Sequence, residues 1–213
     1  MNPDNPTLRT IPMMSKDDRE LIDQALMQNT PEFRKFPKIS RLENLTYTIT
    51  EKLDGTNAVV HVSYVKDDNP TLGKVLRAGS RKQWLDEKRD NHGFYKFVCE
   101  NAALLYRLDP GYHYGEFIGP GIQRKYQTKS GKSELYFFDL RLEERFRDSE
   151  VIHTVPLLET HSLSVPWKDF YLAHKANPSQ IDGVTPKEGV MIHIPGINQR
   201  IKVIFDEANK IKD

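Results

Sequence analysis

The stretch Glu51-Lys52-Leu53-Asp54-Gly55-Thr56-Asn57 decides how the rest of this chain is read. Before it runs Leu45-Thr46-Tyr47-Thr48-Ile49-Thr50, and after it Ala58-Val59-Val60-His61-Val62. Both flanks are rich in β-branched and aromatic residues and read as strands. Asp54-Gly55 between them predicts a tight turn, which makes the whole a hairpin with a lysine near its tip. Taken alone, such a group fits a solvated hairpin end as readily as a nucleophile. A lysine ordinarily carries its proton near neutral pH, so it attacks only where burial or neighbouring cations free the amine. A glycine beside it would let a phosphate-bearing ligand approach the backbone.

The surroundings narrow the choice of class. The 213 residues fit one large domain, or one with a small appendage. Hydrophobic residues at 38% and charged residues at 29% describe a globular chain with a polar surface. No apolar run reaches the roughly 20 residues that span a bilayer. The opening Met1-Asn2-Pro3-Asp4-Asn5-Pro6 lacks the basic and apolar regions of a secretory signal. The single cysteine, Cys99, excludes an intrachain disulfide and a cysteine-based zinc site. A reducing, cytoplasmic setting is the expectation. Net charge is +1, so nucleic-acid binding would need a local basic face.

Outward from the lysine, residues 1–45 read as an arm and a short helix over Asp17–Gln28, packed on a catalytic domain over 46–213. Gly73–Gly79 predicts a strand that runs into the basic segment Ser80-Arg81-Lys82-Gln83-Trp84. Arg81 there could grip a phosphate. Gly93–Leu105 predicts one amphipathic helix, with Phe94, Phe97, Val98, Ala102 and Leu105 on its inner stripe. Tyr112–Ile118 is a strand carrying Glu116, followed by the turn Gly119-Pro120-Gly121-Ile122-Gln123. Arg124–Lys132 holds four cations and no acids and reads as a mobile loop, a candidate track for a nucleic-acid backbone. Leu135–Leu140 is an aromatic strand, and 141–164 reads as irregular apart from a short strand at Val151–His153. Trp167–Ala176 predicts a short helix. Two last strands, 187–194 and 199–205, carry Glu188 on the first and Arg200 and Lys202 on one face of the second. The seven histidines show no metal-ligand spacing.

In order, Lys52-x-Asp54-Gly55, Ser80-Arg81, Gly115-Glu116-Phe117, Phe137-Phe138-Asp139, Glu188-Gly189 and Arg200-x-Lys202 resemble the covalent nucleotidyltransferases, which include polynucleotide ligases and capping enzymes. Residues 51–57 and 115–123 resemble the RNA ligase 2-like branch in particular. The resemblance implies an α+β nucleotidyltransferase domain, an ATP-grasp-like ligase core of antiparallel sheets flanked by helices, with ATP in the groove between them. It implies an ATP-dependent RNA ligase that joins 5′-phosphate and 3′-hydroxyl ends, at a nick in duplex RNA, as a monomer. The small size suits a virus-encoded repair enzyme.

The same resemblance assigns roles to residues. Lys52 would carry AMP covalently, and Arg200 and Lys202 would neutralise the α-phosphate and help keep the attacking amine free. Glu51 would face the adenine edge, with Leu53 and Asp54 beside the nucleotide. Glu116 would hold the ribose, and Phe137 or Phe138 would stack on the base. Glu188 would hold Mg²⁺ or Mn²⁺. Asn57, Arg77, Arg81, Lys125 and Lys129 would meet nucleic acid. Arg200 stands where the family pattern has a lysine, which keeps charge and changes geometry. No OB or helical domain is expected after Phe205. Rival readings are a minimal DNA ligase, which Asp54 favours, a capping guanylyltransferase, and a binding module without catalysis.

Overall fold

The strands on either side of Lys52 do not pair with each other. The computed structural model describes Glu20 and residues 45–66, 69–162 and 173–205. Among the described residues of the unit that runs from Ser40 to Asp213, nine strands form two sheets. Strands β1 (Thr46–Lys52), β7 (Leu157–Ser162), β8 (Gly189–Ile194) and β9 (Gln199–Ile204) form the first, in the order β7-β1-β8-β9. Strands β2 (Thr56–Lys66), β3 (Asn69–Gly79), β4 (Gly111–Ile118), β5 (Glu134–Phe137) and β6 (Ile152–Thr154) form the second, in the order β3-β2-β4-β5-β6.

The chain therefore crosses from one sheet to the other at Leu53–Gly55, which corrects the expected hairpin. The reason lies in Gly55, which is not among the glycines at positive φ. A Cβ on it would lie 2.3 Å from the Phe117 carbonyl oxygen. Glycine serves close approach to β4 here, not turn geometry. All pairings are antiparallel except β5 with β6, which is parallel.

Alternation along β2 sends Ala58, Val60 and Val62 into the larger core and leaves Asn57, Val59 and His61 on the opposite face. Phe117, Leu135 and Phe137 join that core from β4 and β5. Helix α1 (Phe94–Glu100) covers it with Phe94, Phe97 and Val98. The rings of Phe94 and Phe97 stand 5.1 and 5.0 Å from that of Phe117. Burying one such ring contributes about 2 kcal/mol. The single helix expected over 93–105 is broken: α1 ends at Asn101, and α2 (Ala102–Leu105) starts anew. The Asn101 side chain donates to the Phe97 carbonyl at 2.9 Å, and its backbone leaves the helical region.

A third short helix, α3 (Glu143–Phe146), precedes β6. Strand β7 escaped the sequence reading because Leu157-Leu-Glu-Thr-His-Ser lacks a strong apolar alternation; it is held by pairing with β1. The first sheet buries Tyr47, Ile49, Val190, Ile192 and Ile194 on one face, with Phe205. A third cluster, Leu53, Ile118, Tyr126, Tyr136, Val155 and Ile181, joins the two sheets. Both chain crossings, through Leu53 and Val155, pass through it. No helix among the described residues is long and apolar enough to cross a membrane. The helix expected over Asp17–Gln28 and most of that expected over Trp167–Ala176 lie outside the described residues.

Candidate active site

Strand register places Lys52. It pairs with Gly189 across β1 and β8, which sets Glu188 next to it. Lys52 Nζ donates to Glu188 Oε2 at 2.6 Å, and both side chains are largely buried, at 23% and 16% exposure. A charge-assisted contact this short holds the amine at one point above the sheet. Gly189 has no room for a side chain, since a Cβ would lie 2.0 Å from the Val203 carbonyl oxygen.

Glu116 faces Lys52 from the other sheet. It pairs with Asn57 across β2 and β4. Its Oε1 accepts the Gly55 backbone N–H at 3.0 Å, and its Oε2 accepts Asn57 Nδ2 at 3.2 Å. Asn57 Oδ1 in turn accepts Arg81 Nε at 2.6 Å. Arg81, Asn57, Glu116 and Gly55 thus form one hydrogen-bonded chain that ends at the backbone beside the lysine.

Burial pushes the Glu116 carboxyl up to about 7, with Glu188 and Asp54 adding repulsion, while the Gly55 N–H and the Lys52 charge oppose the shift. Between about 4.5 and about 7 the folded protein therefore holds a proton that the unfolded chain lacks. Stability falls as pH rises through that window. Glu116→Gln removes this loss, on the order of 2–3 kcal/mol. Relative to the parent, the variant is expected to melt higher at about pH 8 than at about pH 5, by roughly 5–10 °C. Thermal melts at both values check this, and an identical pH slope in the two proteins would refute it.

Glu51, on the opposite face of β1 from Lys52, is 1% exposed. Its Oε2 accepts the Gln180 N–H at 2.9 Å, and its Oε1 is buried with no hydrogen-bond partner. Burial raises its carboxyl, against hydrogen bonds from Ser179 and Gln180 and the Lys187 charge. Leu53 is buried in the cluster between the sheets. Asp54 is held by Arg124, whose Nε donates to Oδ2 at 3.1 Å and whose Nη1 donates to the Pro186 carbonyl at 3.0 Å. In the sequence Arg124 is only one charge in a cationic run. It ties the lysine loop to the segment leading into β8, and no sequence pattern marked it.

The loop expected to be mobile is anchored. Tyr126 is fully buried, and its hydroxyl oxygen accepts the Asp54 N–H at 3.2 Å. Lys125 and Lys129 on the same loop are exposed. Phe137 is withdrawn from base stacking, since it is 0% exposed in the larger core. Phe138 is 42% exposed, with its N–H bonded to the Tyr114 carbonyl at 2.9 Å. Arg200 and Lys202 pair with His193 and Met191, which pair with Thr48 and Thr50. They therefore share the Lys52 face of the first sheet, two strands away from β1, and both are exposed. Burial and the Arg200 charge hold His193 below its ordinary value. Arg77 is exposed, and its Nη1 donates to Ser63 Oγ at 3.2 Å.

Among the described residues no three His, Cys, Asp or Glu side chains converge as a ready-made metal site. Glu188 is the carboxylate beside Lys52. A hard divalent cation that keeps water and phosphate ligands needs only one or two carboxylates, so this donor set fits one.

A family model described as RNA ligase matches residues 45–204. The fold is also similar to solved structures of Naegleria gruberi RNA ligase. A variant with ATP and manganese aligns at a TM-score of 0.56 and 21% identity, over 76% of this chain and 49% of its own. A form with pyrophosphate aligns at 0.57 and 21%, over 76% and 50%. A ligand-free variant aligns at 0.55 and 18%, over 82% and 56%. The chain thus spans about half the length of these proteins. A search of curated proteins found no significant match.

Proposed function

Because the chain belongs to the RNA ligase family, we propose that it joins 5′-phosphate and 3′-hydroxyl RNA ends with ATP, through AMP held covalently on Lys52. The observation that carries this reading is the largely buried Lys52 amine, 2.6 Å from Glu188, facing Glu116 across two sheets. Nζ must leave Glu188 and lose a proton before it attacks. Its lone pair then forms a P–N bond to the α-phosphorus of ATP as the bond to pyrophosphate breaks. A 5′-phosphate oxygen next displaces the lysine, whose amine regains its proton. The RNA 3′-hydroxyl then attacks the 5′-phosphorus, and AMP leaves.

Each neighbouring group supports a part of this sequence. Arg200 and Lys202 lie on the lysine face, where they would neutralise charge building on the α-phosphate. Glu116 would accept ribose hydroxyls, poised by Gly55 and Asn57. Phe138, half-exposed, would stack on the adenine. Glu51 lies beneath the strand, away from the Lys52 face, and holds the Gln180 N–H there, so it is not assigned to the adenine. Glu188 would hold Mg²⁺ or Mn²⁺, which supplies further charge neutralisation at the phosphates. The neighbouring solved structures that carry ATP, AMP and manganese agree with this reading. The chain is proposed to act as a monomer.

Incubation with α-labelled ATP and a divalent cation tests it. Label that survives denaturation is expected from ATP and not from GTP; no label from either would end the ligase reading, and label from GTP alone would point to capping. Lys202→Ala should lower labelling by at least about 100-fold. Its exposed side chain predicts a melting temperature within about 2 °C of the parent. Full labelling of that variant would remove Lys202 from the site.

A further inference from the structure

The sheet face that carries Asn57 and Glu116 does not stop there. Moving away from Lys52, the next pairs across β2 and β4 are Val59 with Tyr114 and His61 with Tyr112. Across β2 and β3 they continue as Val59 with Gly79 and His61 with Arg77. Tyr112 and Tyr114 are each 56% exposed, and Trp84 is 45% exposed. Tyr112 and Tyr114 stack at 6.2 Å and 12° between planes, and Trp84 and Tyr112 at 6.2 Å and 27°. The His61 ring lies 4.4 Å from that of Tyr112. Gly79 leaves room for the indole, because a Cβ there would lie 3.1 Å from it.

These rings are not needed by the core, which the alternate residues Ala58, Val60 and Val62 already fill. Three large aromatics left side by side in solvent mark an interaction surface. Its rim is cationic. Arg77, Arg81 and Lys82 are exposed, and a cleft of about 390 Å³ runs between Asn57, Arg81 and Lys82. The acid of that cleft, Asp90, is occupied by the backbone N–H groups of Asn91, Tyr95 and Lys96.

We infer that the exposed rings of Tyr114, Tyr112 and Trp84, rimmed by Arg77, Arg81 and Lys82, are a stacking track for unpaired bases of the RNA substrate. Flat rings accept the face of any base, and the guanidinium and ammonium groups follow the backbone. The track begins beside Phe138 and Glu116 and reaches His61 roughly 13 Å along β2 from Asn57. A duplex hides its base faces, so the track favours single-stranded RNA and departs from the nicked duplex expected above. This inference rests on the RNA ligase reading for its ligand.

The test uses the full chain and fluorescein-labelled single-stranded RNA, read by anisotropy at one low salt concentration. Tyr112→Ser and Trp84→Ser are each expected to weaken binding by about 5- to 100-fold. Tyr112→Phe should bind like the parent. Label transfer from α-labelled ATP to the protein should be unchanged in all three, since none touches Lys52, Glu116 or Glu188. Blunt duplex RNA of the same length should bind more weakly and be indifferent to the substitutions. Unchanged single-strand binding in both serine variants would overturn the track, as would a parent that binds duplex at least as well. A parent that binds RNA through these rings yet takes no label would keep the track and sink the proposed chemistry.

Discussion

Lys52→Ala takes no label from α-labelled ATP: the expected loss is at least about 10⁴-fold, because among the described residues no other amine is paired with Glu188. The variant still folds. Its cost is the unpaired Glu188 carboxylate, which keeps some access to water and should lower stability by about 1–3 kcal/mol. Lys52→Arg separates charge from chemistry. A guanidinium can keep the contact with Glu188 but stays protonated and cannot attack. Both variants should therefore fail to label, with the arginine variant melting closer to the parent. Measured by denaturing gel and thermal melt, persistent label in either protein would transfer the nucleophile role to another residue.

Gly55→Ala is expected to damage stability and chemistry together. Its Cβ would lie 2.3 Å from the Phe117 carbonyl oxygen and 2.6 Å from Ile118 Cγ2. Both atoms belong to β4, whose backbone is fixed by pairing on both sides. The loop must move instead, and the Gly55 N–H leaves Glu116. Overpacking and a lost charged hydrogen bond together cost about 3–5 kcal/mol. That lowers the melting temperature by roughly 10 °C. A shift of about 1 Å in the lysine loop would also reduce adenylylation by about 100-fold. A variant that melts with the parent would show that the loop has slack that the contact distances deny.

Much of the domain was legible because strands announce themselves locally. The alternation around Lys52, the aromatic run at 135–138 and the paired cations on β9 led to real strands. Which strands meet is not a local property, and there the reading failed. Asp54-Gly55 looked like a turn, since the pattern for a tight turn and the pattern for a close backbone crossing use the same small residue. Arg124 was hidden for a related reason. Its partners, Asp54 and the Pro186 carbonyl, lie far away in sequence. Phe137 and Phe138 could not be separated until the pleat showed which one faces the core. The stacked rings of Tyr112, Tyr114 and Trp84 come from two segments that only the β2–β3–β4 pairing brings together.

The two sheets share no strand pairing, yet the groups proposed to act together are divided between them. Lys52, Glu188 and Lys202 ride on one, Glu116 and Phe138 on the other. A nucleotide touching both would work as a fastener across a seam made of Leu53, Ile118, Tyr126, Tyr136, Val155 and Ile181. The tolerance of the chemistry is then set by an apolar joint that meets no substrate atom, and trimming a methyl group there would misalign reacting partners before it threatened the fold.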